Sequence, residues 1–579
     1  MEEENIGEVL SEFNKSNFKN AYNLGVKLKE NNKNKLLLNI LTISSFKIEK
    51  YLEAIKYGHQ LLKTLDEKDG INILNILGTS YSILKDYQSG NKYLKKYLLH
   101  DPQNIPIKYN LGLNLFKQKK YKEAELYLQN LILDKNEFRD SELIYGIIQS
   151  ELKEYESAII IFRNIINKKK YLSDTYFNLG ITYQKKEDFL RSIKYFKKAI
   201  KANNKQDQYF NSLGVSYQKL FKYDMAIKAY ENSIKLNKQN SKSYNNLGLL
   251  LKKNGEFQEA LNNYTMALKY DPNNSDILYN KSICLLENGN FKEGFKFYKW
   301  RQNGKYINSD IFSLDEIENK KILIKCDQGL GDIILMSRFV NKLSNYKAKV
   351  FFQIPESMEY LLKGLDRRII FLIKNISNYK FDHICTLGDL FEIFNINAKN
   401  IPIEDPYLTI ENKWIEKWKN QIDKRKFNIG ICWQGKTGSV VDEGRSFKLK
   451  YFENISKIKN VNLISLQKNE GLDQIKEFTK KNKLVDFNDT LDKEAKFMDT
   501  AGLMKNLDLV ISSDTSIAHL GGALGVKVWT LVQKYPFWYW NTKNQNSLWY
   551  KSVKIFKQEE NHNWKKLFLN LEDKLKEII

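Results

Sequence analysis

Cysteine is scarce in this chain, 4 among 579 residues, and Cys284, Cys326, Cys385 and Cys432 form no C-x-x-C pair. Three of them sit inside apolar runs and read as small core residues. The 5 scattered histidines leave no zinc cluster. No apolar run approaches the roughly 18 residues that a membrane helix needs. The opening MEEENIGEVL is acidic and followed by polar sequence, unlike a signal peptide. The expected compartment is the cytoplasm. Proline is down to 7 residues while Lys, Asn and Ile abound, a bias that an AT-rich genome also produces and that accompanies the +24 charge. Lysine is spread along the chain rather than clustered, so no nucleic-acid partner is expected.

What is present suits folded domains. Hydrophobic content of 42% and aromatic content of 13% argue against disorder, and 579 residues are too many for one core.

The first three hundred residues repeat. Gly78, Gly112, Gly146, Gly180, Gly214 and Gly248 are each 34 residues apart. Twelve residues after each comes a small side chain (Gly90, Ala124, Ala158, Ser192, Ala226, Ala260), and sixteen after, a large one (Leu94, Leu128, Phe162, Phe196, Tyr230, Tyr264). A 34-residue helix–turn–helix with small residues where two helices touch is the tetratricopeptide pattern. The large residue is expected to fill the gap to the next pair. A further unit carries Ser282, Gly294 and Tyr298, and two degenerate ones lie around Ala21 and Ala54, giving an all-α solenoid of about nine units over residues 2–302. Two residues before the glycine position stand Asn110, Asn178, Asn246 and Asn280, with Ile76, Ile144 and Ser212 in intervening units. This resembles the repeat region of protein O-GlcNAc transferases, which implies an asparagine ladder gripping an acceptor's backbone. Asparagine is common throughout, so chance placement is the alternative.

After a linker at 303–320 the period changes. KILIKCD, KVFFQI and RIIFLI read as strands of a first α/β half over 321–410, and a helix bearing Trp414 and Trp418 bridges to a second half over 411–579. Expected strands there are Asn428–Trp433, Val461–Leu466, Leu484–Phe487, Leu507–Ile511 and Lys527–Val532. Two successive halves predict two sheets facing a cleft, with ligand at the carboxyl ends of the strands. The stretch LDLVISSDTSIAHLGGALGVKVWTLV organises the second half. Ser512, Ser513 and Asp514 offer N-cap side chains to a helix over Thr515–Leu524, whose unpaired amides and dipole make an anion site. His519 lies one turn after Thr515 on the same side. Gly521 and Gly522 predict close packing against a strand or ligand. In the first half, the turn Gln328-Gly329-Leu330-Gly331-Asp332 matches only two glycines of a dinucleotide fingerprint, and no acid ends the next strand, so a nicotinamide enzyme is disfavoured. Asp332 is either a helix cap or a general base.

At these two motifs the C-terminal 260 residues resemble glycosyltransferase family 9, the ADP-heptose heptosyltransferases. Q-G-L-G-D-I-I is similar to S-x-x-G-D, and D-T-S-I-A-H to D-T-G-x-x-H. Closer still are bacterial proteins that place tetratricopeptide repeats ahead of such a domain. They share a W-x-G turn (Trp433-Gln434-Gly435) and an R-S pair (Arg445-Ser446). The resemblance implies a GT-B-like pair of Rossmann-like halves and transfer of a sugar from a nucleotide-sugar co-substrate, without cofactor or metal, to a protein or glycan acceptor selected by the repeats. It makes Asp332 the base. It assigns the donor to Gly329, Gly331, Trp433, Gly435, Arg445, Asp514, Thr515, Ser516 and His519, with backbone amides and a cation stabilising the leaving diphosphate. Arg445 either pairs with phosphate or forms a structural salt bridge. Gln328 replaces the family's serine and Ser516 its glycine, so Ser516 either crowds a diphosphate or replaces a water. The run Tyr535-Pro536-Phe537-Trp538-Tyr539-Trp540 stacks on sugar or base, or packs under the domain edge. The competing reading is a non-catalytic scaffold with a degenerate transferase domain.

Overall fold

The computed structural model describes residues 2–579 except 30–33, 67–68, 134–137, 306–307, 374–378, 404–405, 437–443, 494–495, 542–543 and 561–562. Its contacts fall into two compact units, Met1–Lys238 and Gln239–Ile579.

The first unit is all helical, from Glu2–Asn14 to Tyr223–Leu236, with consecutive helices packed in pairs. The 34-residue glycine is the reason. A Cβ on Gly214 would lie 2.5 Å from the Tyr230 ring, and one on Gly146 or Gly180 would lie 2.6 Å from Phe162 or Phe196. The large residue thus packs on the glycine of its own pair, not in the gap to the next one. Each pair turns through a residue in left-handed conformation, also 34 apart: Lys85, Lys119, Lys153, Glu187 and Phe221, then Gly255 and Gly289 in the second unit. The abundant Asn and Asp cap the helices. Asp86, Asn104 and Asp188 accept from Ser89, Ile107 and Arg191 amides at 3.0–3.2 Å.

The second unit opens with helices Ser241–Lys253, Phe257–Tyr270, Ser275–Glu287 and Phe291–Tyr298. The compact boundary therefore falls two pairs before the end of the repeat. Phe291, Phe295 and Tyr298 share one core with both α/β halves. Phe295 stacks on Phe391 of the first half at 4.3 Å and meets Trp538 of the second edge-on at 5.6 Å. Just beyond, buried Arg301 donates to Asp327, Thr386 and Asp389.

Two parallel sheets follow. The first has β1 (Lys321–Lys325), β2 (Lys349–Gln353), β3 (Ile370–Leu372) and β4 (His383–Thr386) in the order β3-β2-β1-β4. The second has β5 (Phe427–Cys432), β6 (Val461–Ser465), β7 (Leu509–Ser513), β8 (Val528–Val532) and β9 (Val553–Lys557) in the order β6-β5-β7-β8-β9. The expected strand Leu484–Phe487 is reduced to one bridge, Val485 to Ile464. The bridging helix is Asn412–Lys419, with Trp414 and Trp418 buried. It packs tightly on Gly502, where a Cβ would come within 2.2 Å of the Trp414 carbonyl oxygen. No helix among the described residues is long and apolar enough to cross a membrane.

Candidate functional site

Each sheet reverses its strand order once, between β1 and β4 in the first and between β5 and β7 in the second. Loops leaving neighbouring strands there part to opposite faces and open a crevice at the carboxyl ends. A cleft of about 1070 Å³ lies at those ends, lined by the segments after β1 (Gly329–Asp332), β5 (Gln434–Lys436), β6 (Leu466–Glu470) and β7 (Asp514–Ile517).

Two helices start in it. Leu330–Leu343 follows β1 with Gly329 as N-cap, and Ser516–Ala523 follows β7 with Thr515 as N-cap. Their first turns meet at Gly331, where a Cβ would come within 3.0 Å of His519 Cδ2 and 3.4 Å of Ser516 Cα. Gly329 has no side chain to cap with, and the Thr515 side chain does not cap its helix. Ser512 and Ser513 belong to β7 and Asp514 precedes the N-cap, so the expected capping by these three is corrected. Thr515 Oγ1 lies 3.0 Å from Ser512 Oγ and 3.6 Å from Cys432 Sγ, which anchors the turn. Gly521 and Gly522 serve protein packing, since a Cβ on either would sit 2.4 Å from Val528 or from the Tyr550 ring.

Asp332 opens onto the cleft yet is surrounded by protein. Burial, then the charge on Asp514, push its carboxyl up to about 7, against a hydrogen bond from the Gly329 amide and the charge of Arg445. Asp514 is buried, accepts from Trp540 Nε1 at 2.7 Å, and is raised chiefly by burial. His519 is 2% exposed, stacked on Trp540 at 4.7 Å, and held down to about 3 by burial and by Arg338. It is therefore neutral at physiological pH, and the cations are elsewhere. Lys436, Arg445, Lys468, Lys493 and Lys496 line the cleft against Asp332, Glu470, Asp492 and Asp514.

Gly329, Gly331, Asp332, Gly435, Arg445, Asp514, Thr515, Ser516 and His519 come together in this cleft. Trp433 does not. It is fully buried, its indole donating to Gly471 O at 3.3 Å, because the β5 register turns it into the core. The W-x-G and R-S motifs meet instead through backbone. The Gly435 amide donates to Ser446 Oγ at 3.2 Å, and a Cβ on Gly435 would strike the Arg445 guanidinium at 2.8 Å. Gln328 donates to Asp327 at 3.2 Å. Of the aromatic run, Trp538 and Trp540 are core and Tyr539 lines the cleft. Asn110, Asn178, Asn246 and Asn280 are half-buried on the first helices of their pairs, two in each unit. Asn178 donates to Asp174 O at 2.8 Å, and Asn280 to Asn245 Oδ1 at 3.0 Å.

The sequence reading missed Gln467. Its Oε1 accepts from the Trp433 and Gln434 amides at 2.9 and 3.0 Å, and its Nε2 donates to Gln434 O at 2.7 Å and Glu470 O at 2.8 Å. It ties the loop after β5 to the loop after β6. A polar side chain two residues beyond a buried strand was its signal. Phe497, also in the cleft, holds φ at +68°, a strained conformation for a bulky residue.

Family models described as tetratricopeptide repeat match residues 173–206, 207–240, 241–274 and 263–295, and none of these matches falls on the α/β part. The chain is thus a tetratricopeptide repeat protein, with protein-binding repeats ahead of an α/β region of two parallel sheets. Similar solved structures include a tetratricopeptide repeat protein from Parabacteroides merdae (16% identity over 43% of this chain and 98% of that one, TM-score 0.33). MamA from Desulfovibrio magneticus is 18% identical over 29% and 96%, with TM-score 0.27. YrrB, a tetratricopeptide protein with an unusual peptide-binding site, is 20% identical over 31% and 92%, with TM-score 0.26. No curated protein sequence matches the chain significantly.

Proposed function

We propose that the α/β part is a GT-B-like glycosyltransferase, similar to family 9, that moves a sugar from a nucleotide-sugar donor to an acceptor engaged by the repeats. The observation that carries this is one cleft holding a carboxyl poised near neutral pH beside the open first turn of the Ser516 helix. The amides of Ser516 and Ile517 and the dipole behind them suit a diphosphate, whose charge grows as the sugar–phosphate bond breaks. Arg445 and the cleft lysines take the part of the cation in place of a metal. Asp332 receives the acceptor's hydroxyl proton as the oxygen attacks the sugar, and a base of pKa near the working pH is efficient at this. We place the reaction in the cytoplasm, a reducing compartment compatible with four free thiols.

A second reading has support of its own. The Gly329 amide lowers the Asp332 carboxyl from the N-terminal turn of its helix, a placement that a purely structural carboxyl would also favour. On that reading the protein is a scaffold that binds nucleotide or partner without turnover. Thermal shifts with ADP-, UDP-, GDP- and TDP-linked sugars test the donor site, because a ligand at 100 times its Kd adds about 2.7 kcal/mol to stability. A clear shift with one family of donors followed by release of free sugar supports the enzyme. A shift without turnover under any acceptor leaves the scaffold, and no shift at all removes the donor site.

A further inference from the structure

Behind the cleft stands a buried cation that the reaction scheme leaves unused. Arg338, on the Leu330 helix, is 4% exposed. Its guanidinium lies 4.6 Å from the Tyr407 ring and 4.6 Å from the Tyr550 ring, and donates to Pro402 O at 3.0 Å and to Trp549 O. Tyr550 Oη lies 3.0 Å from His519 Nδ1, and the Tyr550 ring is wedged against Gly522 of the same helix as His519. The imidazole plane is fixed by Trp540 stacked at 4.7 Å and Tyr539 edge-on at 5.0 Å. The ring edge carrying Cδ2, next to Nε2, faces Gly331, where the two helix N-termini meet.

Hydrogens in this chain can be placed by elimination. Arg338 bears only donors and packs on the Tyr550 ring, while the buried Tyr550 oxygen has His519 Nδ1 as its hydrogen-bond partner among the described residues. The phenol keeps its own proton to give. His519 Nδ1, 3.0 Å away, is the acceptor in reach, since Tyr407 is turned to Ile334 O and gives it its proton at 2.6 Å. A buried phenol proton without an acceptor would be costly, and the charge of the neighbouring Arg338 makes the phenol a better donor. With Nδ1 accepting, a neutral ring must carry its proton on Nε2.

We infer that Arg338 and Tyr550 are positioning residues that hold His519 in the tautomer protonated on Nε2, so that a neutral N–H, backed by a buried guanidinium, points at the anion position between the two helix N-termini. The inference rests on the diphosphate reading of the cleft. An imidazolium there would be costly to bury. A neutral donor relaying a permanent charge avoids that cost and does not switch off as pH rises.

The test uses full-length protein labelled with ¹⁵N at histidine, with five ring systems to resolve and His519→Gln to assign the signal. Nitrogen shifts report which ring atom carries the proton. The parent should show Nε2–H, and Tyr550→Phe, which keeps the ring in place, should give a mixture of tautomers. Titration with inorganic pyrophosphate and with ADP and UDP should show affinity lower by about tenfold in Tyr550→Phe. A parent ring protonated on Nδ1, or unchanged affinities in Tyr550→Phe, overturns the inference while the diphosphate site stands. A parent that binds none of the three probes sinks the diphosphate reading, and this inference with it.

Discussion

Asp332 and Asp514 come from different halves of the α/β part and repel each other across the cleft. Burial already raises Asp332, and the charge on Asp514 raises it further, to about 7. If Asp332 is the base, turnover should climb as pH rises through about 7 and then level off. Asp514→Asn removes a repulsion, so the acid limb should move to lower pH. Asp332→Asn should keep nucleotide binding and lose roughly 10²–10⁴-fold in turnover. A pH–rate profile of the three proteins checks this, and equal turnover in folded Asp332→Asn removes the residue from the mechanism.

The same shift bears on stability. A carboxyl whose folded pKa lies above its unfolded value binds more protons in the native state, so stability falls as pH rises between the two values. Asp332→Asn should therefore melt above the parent at pH 8, and the difference should vanish near pH 4. A constant difference across pH would assign the effect to the cap rather than to titration.

Much of this was legible in residues and spacing. The 34-residue glycines announced the helical pairs because a 2.5–2.9 Å conflict with a large side chain forbids any Cβ there. The DTSIAH and GLGD turns announced the cleft because apolar strands ending in polar turns can do little else at a switch point. Trp433 misled because a motif name carries no register, and β5 points that side chain inward. The charge state of His519 was not legible, because it depends on burial and on Arg338, neither of which the local sequence displays. Gln467 was invisible for a related reason: its partners Trp433 and Gln434 lie more than 30 residues away on another strand's loop.

The repeat glycines give a sharp packing test. Gly214→Ala gains about 1 kcal/mol in helix propensity but places a methyl 2.5 Å from Tyr230 Cε1. Overpacking of this kind costs about 1–3 kcal/mol, so the variant should be net destabilised, and Tyr230→Leu should restore part of the loss. Urea unfolding measures both.

Fragment boundaries should follow the cores. Gln239–Ile579 should fold cooperatively alone. A fragment beginning at Lys305 should not, because it loses Phe291, Phe295, Tyr298 and Arg301 and leaves Asp327 and Asp389 buried without their guanidinium. Breaking such a pair costs about 3–5 kcal/mol. Circular dichroism melts of the two fragments decide it.

Replacing Asn110, Asn178, Asn246 and Asn280 with Ala should weaken transfer to protein acceptors and leave donor affinity unchanged. Labelled donor with total protein from the native host is the assay. Undiminished transfer would assign these amides to their own helices, as the Asn178 bond to Asp174 already does in part.

The shared core of the last helical pair sets an order on biosynthesis. Phe295 and Tyr298 leave the ribosome well before Phe391, and about 250 residues before Trp549, the far side of the same cluster. At about 5–20 residues per second that aromatic face waits on the order of 10–50 s for its cover. The nascent chain passes through a long interval in which its first unit can be finished while the aromatic face of the last pair still lacks its cover.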